Sequence, residues 1–519
     1  MQPVLTPEQT RTFDGAAIEA GVPGLVLMEN AARGALEVVL ELWGDVRRVL
    51  VLAGGGNNGG DAYALARLLR TRGVAVEVFG TTPVEQLRGD AALQARAWLA
   101  TDPAASVRGA EASAVGEALE RTELVVDGLL GTGADRPVSG ALATLIEAIN
   151  GAGRPVLALD VPSGLDAERG RVLGIAVRAS ATVTFGHHKR GLLTTAGREC
   201  CGRLLLRDIG VPRGAFPWTR DGVGSTAGLP AGWLLEESDI AAWLEPRSPI
   251  AHKGSSGRVA IVAGAPGRIG AARLAARGAL RAGAGLVTIA TRPEAAQQLE
   301  LTAFEEMTAR LRSEDPGSTL EQLGPDVCVV GPGLGLDAPA QSALAAVLER
   351  PEPVVLDADA LHLLTLETRH TLGPGPRVLT PHPGEAGRLL RRSAQEVEED
   401  RFGAAQELAE RHGAVIVLKG PHTIVTAPGE VPRVSPWGTS LLATGGTGDV
   451  LAGVLGAFLV SLTPLEAACV AVAVHGASGA EWARTAPAIT EYVPDRGVLA
   501  REIADGVPHS LARFLAARS

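Results

Sequence analysis

The chain has 519 residues, of which 46% are hydrophobic and only 3% aromatic, with 65 glycines and a formal net charge of −10. The length exceeds one ordinary domain, and the glycines cluster in turns rather than in a repeat, which excludes a low-complexity or fibrous chain. The acidic balance argues against nucleic acid as a bulk partner, and the apolar run LAGVLGAFLVSL is too short to span a bilayer.

In chain order, residues 9–42 read as a helix, with Glu and Arg interleaved among Ala, Leu and Val. RRVLVLAG then reads as a buried strand, GGGNNGG as a turn, DAYALARLLR as a helix and VAVEVFG as another strand. ELVVDGLLGTG and RPVLALDVPSG repeat the scheme of apolar strand, polar residue and glycine turn. Strands alternating with helices indicate a parallel sheet covered on both faces, and ligands of such sheets sit at the C-terminal strand ends. Asp61, Asp127 and Asp160 fall there. After RLLLRDIGVPRG the periodicity lapses, so residues 213–232 are expected to link a domain of residues 1–212 to one of residues 233–519. The second domain continues the α/β pattern through GRVAIVAG, GLVTIAT, DVCVVGPGLG, PVVLDADAL, RVLTPHPGE and AVIVLKGPHTIV, and closes with ATGGTGDVLAG and two apolar helices. The fold class expected is α/β in two domains.

Several polar signals follow these strands. Asn58, Asp127 and the Ser163 hydroxyl are hard oxygen donors. With nearby carbonyls they suit a hard cation, and a single carboxylate favours a monovalent one. NNGGD taken alone also fits a structural turn with Asp61 capping the next helix. KGPHTIV offers Lys419, Gly420 and Thr423, or an ordinary hairpin; TPHPGE offers His382 and Glu385, or a turn with a capping Glu. In GGTGD the glycines and a helix start form an anion hole. Asp449 would repel an anion there, so it is read as the base that activates a nucleophile. Only three of the 48 basic residues are lysines, and Lys189 and Lys419 lie in motif-like contexts. Lys189 is read as an exposed strand-end residue, with a helper role beside Asp160 as the alternative. His187 and His188 are adjacent on a strand and point to opposite faces, so they make no metal pair. Cys200, Cys201, Cys328 and Cys469 have neither CxxC spacing nor His companions and are expected to be buried free thiols in a reducing cytoplasm. No signal peptide is expected.

The C-terminal set resembles the ribokinase-like superfamily. More closely, HKGSSGRVAIVAG, GAARLAARGALRAGAGLVTIAT, GPGLG, TPHPGEAGRLL, KGPHTIV and LLATGGTGDVLAGVLGAFL look like the NAD(P)H-hydrate dehydratase family over residues 236–510. That resemblance implies a ribokinase-like α/β/α sandwich, Asp449 as general base, and Lys419, Gly420, Pro421, His422, Thr423 and Gly448 at the adenine nucleotide. It also implies Ala271, Gly333, His382 and Asp449 at the hydrated nicotinamide, and ADP or ATP with Mg2+. LMENAARGA, GGGNNGGDAY, VVDGLLGTG, DVPSGLD and FGHHKRGLL resemble the NAD(P)H-hydrate epimerase family over residues 1–212. This implies a Rossmann-like sheet and substrate contacts from Asn57, Asn58, Gly59, Gly60 and Asp61. Gly131, Thr132, Gly133, Ala134, Asp135, Arg136, Pro137 and Asp160 are implied as further contacts, with K+ on Asn58, Asp127 and Ser163. Animal members carry a lysine in the loop that here reads GTGADRP, so Asp160 is the acid/base candidate.

The expected function is repair of hydrated NADH and NADPH. Both epimers would be interconverted, and the S epimer dehydrated at the expense of ADP or ATP. The expected setting is cytoplasmic, with small-molecule partners, no nucleic acid, no membrane and a possible homo-oligomer. The rival is a small-molecule kinase for a vitamin alcohol or sugar with a fused nucleotide-binding module. A nucleotide sensor without catalysis is disfavoured, because pure binding gains nothing from Asp449.

Overall fold

The computed structural model describes residues 1–211, 228–366, 372–485 and 496–518. Its contacts divide into two units, Gln2–Trp233 and Leu234–Ser519, the latter with Met1.

In the N-terminal unit seven strands form one parallel sheet. Their order is Arg108–Gly109, Ala75–Gly80, Arg48–Ala53, Leu124–Gly128, Val156–Leu159, Ala181–Phe185 and Arg203–Arg207. Val49, Val51 and Ala53 enter one hydrophobic core, while Leu50 and Leu52 enter another on the opposite face. That alternation is the period of two of a strand buried on both sides. The strand order reverses between Arg48–Ala53 and Leu124–Gly128, which opens a crevice at their C-terminal ends.

Two local expectations are corrected here. The helix expected over 9–42 is two helices, Pro7–Glu19 and Gly24–Trp43. Gly21 adopts φ 96° between them, and Pro23 precedes the second with no N–H to continue a helix. GGGNNGG is a turn only through Gly56, because the helix Asn57–Thr71 already includes Asn57, Asn58, Gly59 and Gly60. The first turn of a helix needs no intrahelical N–H acceptors, so it tolerates residues that would weaken its middle.

Of the expected linker, residues 213–227 lie outside the described residues. Leu229 and Ala231 are tied to Gln9, whose Nε2 donates to the Leu229 carbonyl (2.9 Å) and whose Oε1 accepts from the Ala231 amide (3.1 Å). Gly232 already begins the strand Gly232–Leu234.

In the C-terminal unit the strand order is Met307–Arg310, Leu286–Thr291, Arg258–Val262, Val327–Val330, Val354–Leu356, Arg377–Leu379, Val415–Leu418, Ile424–Thr426 and Arg433–Val434. The first seven are parallel, and the last two pair antiparallel. The order reverses between Arg258–Val262 and Val327–Val330. The helix Thr447–Phe458 packs so closely on Ile269–Ala282 that a Cβ at Gly453 would stand 1.8 Å from the Ala275 carbonyl oxygen. A helix Ala500–Ala516 follows the two apolar helices expected at the C-terminal end. Among the described residues no helix is long and apolar enough to cross a membrane, and all four cysteines are buried and free.

Candidate functional site

Each unit gathers polar residues at its own strand ends. In the N-terminal unit the loops leaving Arg48–Ala53 and Leu124–Gly128 meet at the crevice. A Cβ on Gly54 would stand 2.0 Å from the Leu129 carbonyl oxygen, so only glycine permits this approach. Gly56 precedes the helix Asn57–Thr71 without a side-chain cap, which leaves the first N–H groups available to a ligand.

The cavity here has a volume of about 780 Å³, a size that accommodates a large cofactor fragment. Asn57, Asn58, Gly59, Asp61, the whole stretch 131–137 and Asp160 line it. Gly60 does not; a Cβ added there would stand 2.7 Å from Met28 Sδ and 3.0 Å from the Ala91 Cα.

Asp160 follows the strand Val156–Leu159 in a left-handed backbone conformation, φ 60°, which a non-glycine residue adopts only under constraint. Its Oδ1 accepts from the Lys189 ammonium, from Thr184 Oγ1 (3.2 Å) and from the Phe185 amide (3.3 Å). The reading of Lys189 as an exposed strand-end residue is therefore corrected. Its side chain is 1% exposed, and Nζ also donates to Thr184 Oγ1 (3.1 Å) and the Phe185 carbonyl (2.8 Å). The strand His188–Lys189 is only two residues long, but it pairs in parallel with Gln2–Leu5, which covers it. His187 is buried with its ring edge against Phe13, and His188 is buried beside it.

The trio expected at a cation is joined through Leu130. Asp127 is fully buried; its Oδ1 accepts from Ser163 Oγ (2.6 Å) and the Leu129 amide (3.2 Å), and its Oδ2 from the Ser163 amide (2.8 Å). Ser163 Oγ accepts from the Leu130 amide (2.8 Å), while Asn58 Nδ2 donates to the Leu130 carbonyl (2.7 Å). That leaves Asn58 Oδ1 buried without a hydrogen-bond donor among the described residues. An orphaned amide oxygen linked through Leu130 and Ser163 to a buried carboxylate is a donor set that a bound cation would complete. Burial raises the Asp127 carboxyl above its ordinary range, against the Ser163 hydrogen bonds that lower it.

In the C-terminal unit Asp449 lies in the first turn of Thr447–Phe458. Gly446, at φ 93°, precedes that helix and supplies no capping side chain. Burial first, then the charge of Asp357, pushes the Asp449 carboxyl up to about 7, with Lys419 opposing and Asp359 adding to the rise. Lys419 ends the strand Val415–Leu418 and donates to Asp357 Oδ1 (2.8 Å), which also accepts from Thr380 Oγ1 (2.7 Å). Burial alone would lower the Lys419 ammonium, but Asp357, Glu385 and Asp449 outweigh it and hold it above the ordinary lysine value. A Cβ at Gly448 would stand 3.5 Å from Lys419 Nζ. Lys419, Gly448 and Asp449 thus meet at one point.

At TPHPGE the structure shows the capping turn. His382 caps the helix Pro383–Leu390, its Nδ1 accepting from the Gly384 amide (3.0 Å), while Glu385 Oε2 accepts from the His382 amide (2.8 Å). An Nδ1 that accepts leaves the proton on Nε2, which lies 3.5 Å from Glu385 Oε1. Burial lowers the His382 pKa, and Lys419 and Arg388 lower it further against Glu385. KGPHTIV is indeed the turn of a hairpin, and its carbonyls at Leu418 and Lys419 accept from the fully buried Arg401 (3.3 and 3.1 Å). Gly420 and Pro421 are exposed, His422 is buried, and Thr423 Oγ1 donates to the Gly420 carbonyl (3.1 Å). Ala271 and Gly333 are neighbours, with 3.2 Å from a Cβ at Gly333 to that of Ala271.

Three residues with a place in these sites escaped the sequence reading. Asp357 stands in LDADAL, just after the strand Val354–Leu356. Asp14 lines the N-terminal cavity from the helix Pro7–Glu19. Arg401 lies behind the KGPHTIV turn. The available signal for Asp14 was its position beside Phe13 and Ala17, which form the buried face of the helix with Thr10.

Family models match in both units: one described as NAD(P)H-hydrate dehydratase over residues 259–496, and one described as YjeF-related protein N-terminus over residues 24–191. The chain is 38% identical over 491 residues to the bifunctional NAD(P)H-hydrate repair enzyme Nnr of Escherichia coli (strain K12), covering 93% of this chain and 89% of that one. It is also 38% identical over 504 residues to the enzyme of that name from Coxiella burnetii, covering 95% and 96%. A crystal structure of the ADP/ATP-dependent NAD(P)H-hydrate dehydratase from Bacillus subtilis, co-crystallized with ATP/Mg2+, aligns at 32% identity with a TM-score of 0.49, covering 55% of this chain and 99% of that one. Near-full-length identity at this level decides the family: the chain belongs to the bifunctional NAD(P)H-hydrate repair enzymes.

Proposed function

We propose that the chain repairs hydrated nicotinamide cofactors in two steps, one in each unit. Residues 1–212 interconvert the R and S epimers of NAD(P)HX. Residues 233–519 dehydrate the S epimer to NAD(P)H, using ADP or ATP and releasing AMP or ADP with phosphate. The observation that carries this reading is that Asp449 and Lys419 meet at an uncapped helix start, while Asp160 stands in a separate large cavity of the other unit. A single kinase would need only the first of these.

In the C-terminal unit Asp449 takes the proton of the substrate hydroxyl. The helix N–H groups and Lys419 bind the phosphates, and the Nε2–H of His382 orients the nicotinamide carboxamide. Mg2+ enters as a chelate of the nucleotide phosphates, the usual way this ion is held. Among the described residues no cluster of three His, Cys, Asp or Glu side chains could hold a metal by itself, which fits that role. In the N-terminal unit the orphaned Asn58 Oδ1, with Asp127 and Ser163, fits a K+ ion. When bound, it would supply positive charge beside the loop 131–137. Four buried free thiols suit the reducing cytoplasm.

The test is product analysis with purified S-NADHX and ADP. A repair enzyme releases one phosphate for each reduced nicotinamide formed. A stable phosphorylated nicotinamide or sugar in its place would establish the kinase alternative.

A further inference from the structure

The N-terminal cavity contains more acid/base chemistry than Asp160 alone supplies. Lys189 has three N–H donors and three acceptors, so none is left for a ligand. All three hydrogen bonds to Asp160 end on Oδ1, and among the described residues none reaches Oδ2. Asp160 is thus anchored by one oxygen with the other open. Asp14 lines the same cavity from the helix Pro7–Glu19 and accepts no hydrogen bond among the described residues. Its neighbours act on it strongly: burial first raises the Asp14 carboxyl to about 6, Lys189 opposes this and Asp160 adds to it. A carboxyl that titrates just below neutrality suits proton donation.

We propose that Asp14 and Asp160 are the catalytic acid and base of epimer interconversion, and that Lys189 is the positioning residue that holds Asp160 in place. This rests on the epimerase reading of the N-terminal unit. The hydrated ring carries its hydroxyl on a carbon bonded to the ring nitrogen. Asp160 takes the hydroxyl proton, the oxygen's electrons form a carbonyl, and the carbon–nitrogen bond breaks. The nitrogen keeps that bond's electron pair and takes the proton of Asp14. Rotation of the freed aldehyde about its single bond presents its other face. The nitrogen attacks that face, Asp14 recovers its proton, and Asp160 returns its own to the oxygen. Atoms and charge balance, and no redox partner is needed. Lys189 touches no substrate atom in this scheme.

The test uses the full chain with Asp449→Asn in place, so that epimers are interconverted but not consumed, and follows R-to-S conversion by chromatography. The charged groups around Asp14 are Arg11 on its own helix, Asp61, Asp90, the Asp135–Arg136 pair, and Asp160 with Lys189. Asp14 must be protonated to act, so kcat/KM should fall as pH rises through about 6. Asp14→Asn should lower kcat by roughly 10² to 10⁴ with little change in KM and abolish that limb. Lys189→Met should lower kcat by a similar factor, and Lys189→Arg should restore part of it. Circular dichroism confirms that each variant is folded, and Asp14→Glu, which keeps the acid, should retain the pH limb. A folded Asp14→Asn enzyme with wild-type kcat and the same limb would overturn the proposal while leaving the epimerase reading intact. A parent chain that interconverts the epimers no faster than buffer would overturn both.

Discussion

The two units use a lysine in opposite senses. In the N-terminal unit Lys189 is bonded to the carboxylate assigned to chemistry, Asp160, and fixes one of its oxygens. In the C-terminal unit Lys419 is bonded to a different carboxylate, Asp357, and Asp449, proposed as the base, takes no bond from it but feels the charges of both. The difference follows from what each site holds. A phosphate site needs its cation facing the ligand and its base kept basic, and burial, with Asp357 and Asp359, raises the Asp449 carboxyl as the proposed base role requires. A proton-shuttling site with no phosphoryl transfer can spend its lysine on orienting the base.

Asp449→Asn should have the largest effect. Without the base, dehydratase kcat should fall by roughly 10² to 10⁴. Nucleotide affinity, measured by calorimetry, should stay level or rise, because a negative charge beside the phosphates is removed. Gly448→Val should do the reverse and weaken binding, since a side chain there crowds the approach to phosphate beside Lys419.

Stability sharpens the comparison next. Lys419→Met leaves the buried Asp357 carboxylate without its cation and should cost about 3 to 5 kcal/mol in denaturant unfolding, whereas Lys189→Met, whose partner Asp160 is only partly buried, should cost less. Arg401→Met removes charged hydrogen bonds from the carbonyls of Leu418 and Lys419 and should cost about 2 kcal/mol while raising the nucleotide KM.

Next comes pH. If Asp449 is the base, as proposed, dehydratase kcat/KM should rise as pH passes through about 7 and the carboxyl ionises. The epimerase should lose activity over the neighbouring range, as Asp14 gives up its proton. Two limbs of the same sign would break the contrast between the units. The smallest effect expected is that of the cation. Replacing potassium by a large organic cation should slow epimerisation, and Asp127→Ala should blunt the difference; equal rates in both salts would remove K+ from the account.

The sheets and their ligand-bearing ends were legible because Val- and Leu-rich runs ending in glycine have few other readings. Asn57, Asn58, Asp61, Asp160 and Lys419 follow such strands, whereas Asp449 stands in the first turn of the helix Thr447–Phe458. Lys189 was not legible. Its burial depends on a two-residue strand covered by Gln2–Leu5, a pairing across more than 180 positions that no local pattern encodes. Asp14 was hidden for a different reason: an acidic residue beside the apolar stripe of an amphipathic helix reads as its solvated edge until the cavity is seen. The break at Gly21 and Pro23 was visible as composition, but the continuous Ala and Leu pattern on either side outweighed it.

The central claim is that two separate sites act in turn on one damaged cofactor. It is tested most directly by following the reduced-nicotinamide absorbance when an equal mixture of R- and S-NADHX is given with ADP to the full chain and to its Asp160→Asn variant. The wild-type chain should convert the whole mixture in one fast phase. The variant should convert the S half at the wild-type rate and the remainder only as fast as the epimers interconvert spontaneously. A variant that repairs both halves at equal speed would contradict the division of labour between the units.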